Sequence, residues 1–129
     1  MTPSIGFILA IALGGALGAV SRHYVGALVM SGLGTSFPAG TLAVNVAGSF
    51  LIGLLVTTLV WKMQVAPEMR AFLVVGFLGS FTTFSTFSLE LLLLLERGET
   101  GQMIAYGMGS LLLGGGAAFA GMALGRGLI

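Results

Sequence analysis

Long apolar runs, separated by short polar or turn-forming segments, cover almost all of the 129-residue chain. A helix needs roughly 20 mostly apolar residues to cross the hydrocarbon core of a bilayer. Four runs meet this length, and they predict helices at about residues 5–30, 41–61, 70–95 and 102–124. Because the connections are short, we predict an all-α integral membrane protein in which residues 1–129 form a single four-helix domain in the lipid bilayer.

The third run contains a segment unlike an ordinary membrane helix, GFLGSFTTFSTFS at residues 76–88, with six hydroxyl side chains and four phenylalanines. Gly76, Gly79 and the clustered β-branched threonines lower its helix propensity. We therefore predict a break in the third helix at mid-membrane, near residues 79–82. Carbonyls freed by a break need protein or an ion as partner, and they suit Na⁺ or K⁺. A glycine kink whose backbone is satisfied by the hydroxyls is the alternative.

The phenylalanines of this segment fall into two groups. Phe77 and Phe81 fit an ordinary packed core, whereas Phe84 and Phe87 are flanked on both sides by hydroxyl residues. An aromatic ring has a positive edge and a negative face. Rings that present their edges to a pore favour an anion, and rings that present their faces favour a cation. The residues alone leave both orientations open.

Three other polar side chains need a reason to lie in lipid. Asn45, near the start of the second helix, either bonds to another helix or offers its amide donors to an anion. Arg22, late in the first helix, either anchors that helix at the membrane edge or contributes to an electropositive vestibule. Glu90 either bonds to the hydroxyl face of its own helix or ties two helices together.

Small and polar residues also recur at a spacing of four, which places them on one helix face. On the fourth helix this spacing gives a track that begins polar and ends small: Tyr106, Ser110, Gly114 and Ala118. Two glycine pairs at the same spacing predict close contact between helix backbones: Gly14 with Gly18, and Gly121 with Gly125.

The composition excludes several classes of function. With 57% hydrophobic residues, 7% charged residues and a net charge of +1, the chain has no basic patch for nucleic acid. The absence of cysteine and the single histidine exclude a thiolate site or a histidine-cluster metal site within one chain. Four acidic residues and one histidine do not make a catalytic constellation, so we predict that the protein is not an enzyme.

The basic residues give only a weak signal for orientation. An even number of helices places both termini on one side, with the basic residues Lys62, Arg70 and Arg126. The other side holds Arg97 and, if it lies at the membrane edge, Arg22. So small a bias predicts either weak orientation or insertion both ways up. A bundle this small hardly encloses a pathway alone, so we also expect an oligomer.

A passive pore for a small ion fits these polar groups better than the other classes considered. The candidate pathway has amide and hydroxyl donors and no acid near its middle, which suits a compact anion. The alternative is a small multidrug-type proton-coupled exporter. Such exporters depend on a carboxylate in the first helix, where this chain has no acid, although Glu90 keeps the alternative open. A non-transporting assembly subunit would not require the hydroxyls.

Two motifs, GTLAVN at residues 40–45 and GFLGSFTTFSTFSLE at residues 76–90, resemble the Fluc (CrcB) fluoride channels of microbes. The resemblance covers the whole chain and implies a fluoride-specific channel that passively exports F⁻ and relieves fluoride toxicity. It implies an antiparallel, dual-topology homodimer with two pores. The implied location is the plasma membrane of a prokaryote, which is the inner membrane of a Gram-negative cell.

The resemblance also implies roles for particular residues. A structural Na⁺ at the dimer centre would be held by the backbone carbonyls of Gly79 and Thr82. The fluoride pathway would include Asn45, Thr83, Phe84, Ser85, Phe87, Tyr106 and Ser110. Arg22 would belong to the vestibule, and Glu90 would support the site. The chain departs from the family pattern at Ser80, which replaces a common glycine, and at Gly114 and Ala118, where related channels often carry a hydroxyl.

Overall fold

The computed structural model describes residues 2–34 and 36–127, and these fold into four long helices. The predicted domain also included Met1, Thr35, Leu128 and Ile129, which lie outside the described residues. The helices are α1 (Ile5–Leu33), α2 (Ala39–Lys62), α3 (Pro67–Glu96) and α4 (Thr100–Gly127). Each is long and apolar enough to cross a membrane. The prediction of an all-α protein with four helices of membrane-spanning length is confirmed.

Both ends of helix α1 are capped, by Ser4 at the start and by Gly34 at the end. The Ser4 Oγ accepts a hydrogen bond from the Phe7 N–H at 3.1 Å, which satisfies one of the amides that a helix start leaves free. At the other end Gly34 has a left-handed backbone, with φ 55°, and its N–H bonds to the Met30 carbonyl at 2.9 Å. A left-handed residue after a helix favours glycine. This cap carries α1 to Leu33, slightly beyond the predicted end.

The last seven residues of α2 are wound more loosely than an α-helix. Val56–Lys62 is π-helical, and the Met63 N–H that follows bonds to the carbonyl five residues earlier, at 3.0 Å. The hydroxyls of Thr57 and Thr58 each donate to the carbonyl four residues earlier, at 2.8 Å. These two side chains are therefore satisfied within α2 and need no partner from lipid.

Helix α3 consists of two helical segments joined by two residues with extended backbone. The first segment begins at Pro67, is π-helical over much of its length and ends at Phe81. Thr82 has φ −85° and ψ 157°, and Thr83 has φ −150° and ψ 117°. The second segment is Phe84–Glu96. We call Thr82 and Thr83 the α3 interruption.

The α3 interruption lies later in the chain than the position predicted from the glycines. The prediction covered residues 79–82, but Gly79 has a helical backbone, with φ −61° and ψ −31°, and Thr82 alone in that range is extended. Glycine lowers helix stability by only about 1 kcal/mol. The backbone leaves the helix where side chains can replace its lost hydrogen bonds. These replacement bonds are made to Thr83.

The helices pack through backbone contacts at glycine. α1 packs mainly against the first segment of α3, and α2 mainly against α4. A Cβ atom at Gly18 would overlap the Phe77 carbonyl on α3, and one at Gly121 would overlap the Phe50 carbonyl on α2. The other two glycines of these pairs are buried in the same contacts: Gly14 and Gly125. The predicted packing role of both pairs is confirmed.

Apolar side chains cover the outside of the helices. Large apolar residues such as Leu28 on α1 and Phe119 on α4 are mostly exposed, whereas few side chains are fully buried. In water, apolar surface of this extent would drive association or aggregation. The surface is therefore one that a bilayer or another membrane subunit covers.

Candidate functional site

The side chain of Asn45 replaces backbone hydrogen bonds at the α3 interruption. Its Nδ2 donates to the Thr83 carbonyl at 3.0 Å, and its Oδ1 accepts from the Thr83 N–H at 2.7 Å. The amide thus bonds to both backbone groups of one residue, as a neighbouring β-strand would. Because both bonds require an extended residue, Asn45 on α2 holds Thr83 out of the helix.

Thr83 also caps the second segment of α3. Its Oγ1 accepts a hydrogen bond from the Thr86 N–H at 3.2 Å, which is the usual bond of an N-cap residue. The same hydroxyl donates to the Thr86 Oγ1 at 3.0 Å and lies 3.4 Å from the Ser85 Oγ. The hydroxyl-rich sequence therefore supplies hydrogen bonds that the start of a new helix needs, in place of water.

These contacts redirect two N–H groups that a continuous helix would use. In an α-helix each N–H bonds to the carbonyl four residues earlier, so Thr83 and Thr86 would donate to Gly79 and Thr82. Both N–H groups donate to side-chain oxygens instead. The carbonyls of Gly79 and Thr82 thereby lose their helical donors, and they are the two that the resemblance implies for a cation.

A cavity of about 400 Å³, which we call the inner cavity, opens beside the α3 interruption. It brings together five residues predicted for the anion pathway: Asn45, Thr83, Phe84, Phe87 and Ser110. Gly79 and Thr82 line it as well, and none of its described lining residues carries a charge. The Ser110 Oγ is buried without a hydrogen-bond partner among the described residues. Ser110 thus lies at the wall of this cavity with a hydroxyl whose oxygen is covered and has no partner among the described residues.

Two glycines determine how much space the inner cavity has. A Cβ at Gly48 on α2 would overlap the Thr82 side chain, so glycine allows the α3 interruption to approach α2. Gly114 lines the cavity on α4. A Cβ there would meet the Ser49 Oγ at 3.6 Å, an ordinary contact, so this position has room for a small side chain.

Phe84 and Phe87 lie beside each other at the inner cavity but differ in exposure. Their ring centroids are 5.7 Å apart, with the planes inclined by 47°. The Phe87 ring also packs on Tyr106, with centroids 5.1 Å apart. Phe84 is 79% exposed, so its ring reaches the outside of the single chain.

A second cavity of about 460 Å³, which we call the outer cavity, also reaches Thr83. Arg22 and Glu90 line it, together with the hydroxyl residues Thr41 and Thr86. Thr83 lines both cavities, so the α3 interruption lies between the two spaces. The structure places Arg22 at the outer cavity, and its role in a vestibule stays a prediction.

The Glu90 carboxylate joins three helices. Its Oε1 accepts a hydrogen bond from the Thr41 Oγ1 on α2 at 2.8 Å, and its Oε2 accepts one from the Tyr106 hydroxyl on α4 at 2.6 Å. Thr41 was not among the predicted site residues. A signal was available, because Thr41 precedes Asn45 by four residues and therefore shares its helix face.

Two predicted pathway residues line neither the inner nor the outer cavity. Tyr106 is completely buried, and its hydroxyl is bonded to Glu90. Ser85 is exposed at the start of the second α3 segment. Their part in an ion pathway stays a prediction.

The amino-acid sequence matches a known protein family. The model of the family described as CrcB-like protein, Camphor Resistance (CrcB), matches residues 9–122. The chain belongs to the CrcB family. A relative in Agrobacterium fabrum, named fluoride-specific ion channel FluC, is 52% identical over 121 residues, or 94% of this chain and 97% of the relative. Proteins of the same name are 51% identical in Thermus thermophilus, over 94% and 96%, and 45% identical in Aquifex aeolicus, over 96% and 100%.

These names bear on three predictions. CrcB relatives are named as ion channels, so the prediction that the protein is not an enzyme is confirmed. The alternative, a multidrug-type exporter, finds no support among them. With four helices of spanning length and bacterial relatives, this CrcB chain is a multi-pass membrane protein of a prokaryote.

Proposed function

We propose that this protein is a fluoride-specific channel through which F⁻ crosses the membrane passively. Relatives with that name match nearly the whole chain at 45–53% identity. The observation that carries the proposal is the uncharged inner cavity, where the Asn45 amide, the unpartnered Ser110 hydroxyl and two phenyl rings meet.

The chemistry of fluoride explains why the donors are uncharged. Fluoride is small and strongly hydrated, so a pore has to replace its water with other donors. A fixed positive charge beside the ion would hold it, because two unit charges 4 Å apart attract by about 4 kcal/mol at an effective dielectric of 20. Neutral donors at successive sites let the ion leave as well as enter.

Phe84 and Phe87 add ring edges to this series of donors, beside the hydroxyls that flank them. The edge of a phenyl ring carries partial positive charge, and we propose that both rings turn an edge toward the ion. Hydroxyl and amide groups complete the pathway: Asn45, Thr83, Ser85, Tyr106 and Ser110. Fluoride would enter through the outer cavity, where Arg22 attracts the anion and the Glu90 carboxylate, which is bonded to Thr41 and Tyr106, opposes it.

The proposed assembly is an antiparallel homodimer with two pores. Phe84 and Gly79 are both exposed in the single chain, although one belongs to the proposed fluoride path and the other to the proposed cation site. A second copy packed on this side would cover both. The weak bias of the basic residues supports insertion in both orientations, which an antiparallel dimer requires.

A structural Na⁺ fits the residues at the α3 interruption. The carbonyls of Gly79 and Thr82 have lost their helical donors, and carbonyl oxygens are suitable ligands for Na⁺. No group of three or more His, Cys, Asp or Glu residues within residues 2–34 and 36–127 offers an alternative metal site. Bound Na⁺ would supply positive charge that offsets the free carbonyls and raises the potential near the anion path.

In the cell, we propose that the channel lies in the plasma membrane of a prokaryote, the inner membrane in a Gram-negative species. A passive channel exports fluoride whenever the internal concentration and the membrane potential drive the anion outward. Expression in a fluoride-sensitive bacterium should therefore restore growth on fluoride. Failure to rescue growth, with the protein present in the membrane, would contradict this physiological role.

Flux through purified protein tests the channel itself. Liposomes that contain the protein and are loaded with potassium fluoride should release F⁻ when valinomycin lets K⁺ accompany it, as read by a fluoride electrode. Before valinomycin is added, release should stop early because the exit of anions alone builds a potential. Liposomes loaded with potassium chloride should retain Cl⁻. An absence of F⁻ release from protein shown to be incorporated would overturn the proposal.

A further inference from the structure

We infer that Asn45 is a positioning residue for the cation site, because it takes the Thr83 N–H that would otherwise bond to the Gly79 carbonyl. This inference rests on the proposed function, in which the Gly79 carbonyl is a ligand of Na⁺. It gives Asn45 a second task besides offering a donor to fluoride.

Two hydrogen bonds fix the Thr83 backbone in the required orientation. The 2.7 Å bond from the Thr83 N–H to the Asn45 Oδ1 removes the donor that the Gly79 carbonyl would have in a continuous helix. The 3.0 Å bond from the Asn45 Nδ2 to the Thr83 carbonyl supports the same extended conformation. An apolar side chain at position 45 offers neither bond, so the Thr83 N–H would return to Gly79.

The Asn45 amide has enough donors for both tasks. Its Nδ2 carries two N–H groups, of which one bonds to the Thr83 carbonyl. Asn45 and Gly79 both line the inner cavity, which is the space that fluoride would cross, so the proposed function assigns the other N–H to the anion. A single side chain thus links the anion path to the geometry of the cation site.

The Thr82 carbonyl loses its helical hydrogen bond through a different side chain, that of Thr83. Its helical donor, the Thr86 N–H, bonds to the Thr83 Oγ1 at 3.2 Å, and this bond uses no atom of Asn45. Replacement of Asn45 should therefore damage the Gly79 half of the cation site and weaken Na⁺ binding without removing every ligand.

Two substitutions of Asn45 separate its tasks. Asn45→Leu removes both bonds to Thr83, so it should weaken Na⁺ binding and stop fluoride flux. Asn45→Asp keeps an oxygen that can accept from the Thr83 N–H but loses the donor to the Thr83 carbonyl, so it should retain most of the Na⁺ binding. Its negative charge beside the anion path should still abolish flux.

The test measures thermal unfolding of the purified full-length protein in detergent while NaCl replaces N-methyl-D-glucamine chloride at constant ionic strength. A ligand that binds the folded state raises the midpoint with its concentration. We expect a saturable rise for the wild type. Asn45→Leu should need at least tenfold more Na⁺ for half of the rise, and Asn45→Asp should stay within threefold of the wild type. Thr58→Val, which removes a hydroxyl bonded only within α2, should behave as the wild type does.

The outcomes distinguish this inference from the proposed function. An unchanged Na⁺ response in Asn45→Leu would overturn the inference while leaving the channel intact. Loss of the response in the wild type would overturn both the inference and the Na⁺ site, whatever the fluoride flux. A wild type that responds to Na⁺ but passes no F⁻ would overturn the channel alone. If Asn45→Leu does not fold, Asn45→Ala removes the same two bonds without adding bulk, and the same shift is expected.

Discussion

The Tyr106 hydroxyl donates a 2.6 Å hydrogen bond to Glu90 and so joins α4 to the second segment of α3. The other oxygen of the same carboxylate accepts from Thr41 on α2 at 2.8 Å. A carboxylate within a membrane helix bundle is costly unless it is paired. The two hydroxyls therefore stabilise the fold through Glu90, whatever either contributes to the passage of an ion.

Replacement of Tyr106 by phenylalanine should lower stability by about 1–2 kcal/mol. Tyr106→Phe keeps the ring contacts with Phe37 and Phe87 but leaves one Glu90 oxygen without its donor. The unfolding midpoint in detergent measures the loss. Tyr24→Phe is the matched control, because Tyr24 is 70% exposed and should leave the midpoint unchanged. Equal effects of the two changes would contradict a specific role for the bond.

Replacement of Phe84 by isoleucine should abolish fluoride efflux from liposomes and leave dimer assembly largely intact. Isoleucine keeps the apolar bulk at the inner cavity but has no positive ring edge. Efflux is read with a fluoride electrode and assembly by size-exclusion chromatography. Phe119→Ile serves as the control, because Phe119 is exposed on α4 and lines neither cavity. Normal efflux from Phe84→Ile would remove Phe84 from the pathway.

The sequence was sufficient to predict the four helices, because a helix that spans a bilayer requires an apolar run of a certain length. The observed bounds, such as Ile5–Leu33 and Thr100–Gly127, extend the predicted ones by a few residues. At the end of α1 the difference comes from the Gly34 cap. Residues that end a helix need not be apolar, so hydrophobicity alone does not locate them.

The position of the α3 interruption could not be read from local sequence. Glycine and threonine content pointed to residues 79–82, but the conformation depends on Asn45, 38 positions away from Thr83. The same limit applies to Tyr106, which the four-residue spacing placed beside Ser110 on a polar track. Periodicity gives the face of a helix, but it does not give the neighbouring side chain that a hydroxyl reaches.

Substitution of Gly121 by alanine should destabilise the contact between α2 and α4 by about 2 kcal/mol. A Cβ at Gly121 would overlap the Phe50 carbonyl, which is backbone and cannot rotate away. Gly114→Ala, on the same helix, is the control because its Cβ would meet the nearest atom at 3.6 Å. Both changes raise helix propensity equally, so the difference between their midpoints measures the overlap. A Gly121→Ala midpoint at or above that of Gly114→Ala would contradict the packing role.

Insertion in both orientations gives the last prediction. Four spanning helices place Lys62, Arg70 and Arg126 on one side of the membrane and Arg97 on the other, and Arg22 lines the outer cavity. With so small a difference in charge, a tag on either terminus should be accessible from both sides in comparable amounts. Accessibility from one side alone would contradict dual insertion.

Variants with added charge test the same prediction through the function of the channel. Gln64→Lys with Glu68→Lys adds positive charge on the side of the termini, and Glu99→Lys with Gln102→Lys adds it on the opposite side. Each double variant should insert predominantly in one orientation. If the channel is antiparallel, cells that express one variant should stay sensitive to fluoride, because every subunit points the same way. Expression of both together should restore growth, since opposite subunits then meet in one membrane. Full resistance from one variant, shown by its tag to have a single orientation, would contradict the antiparallel dimer.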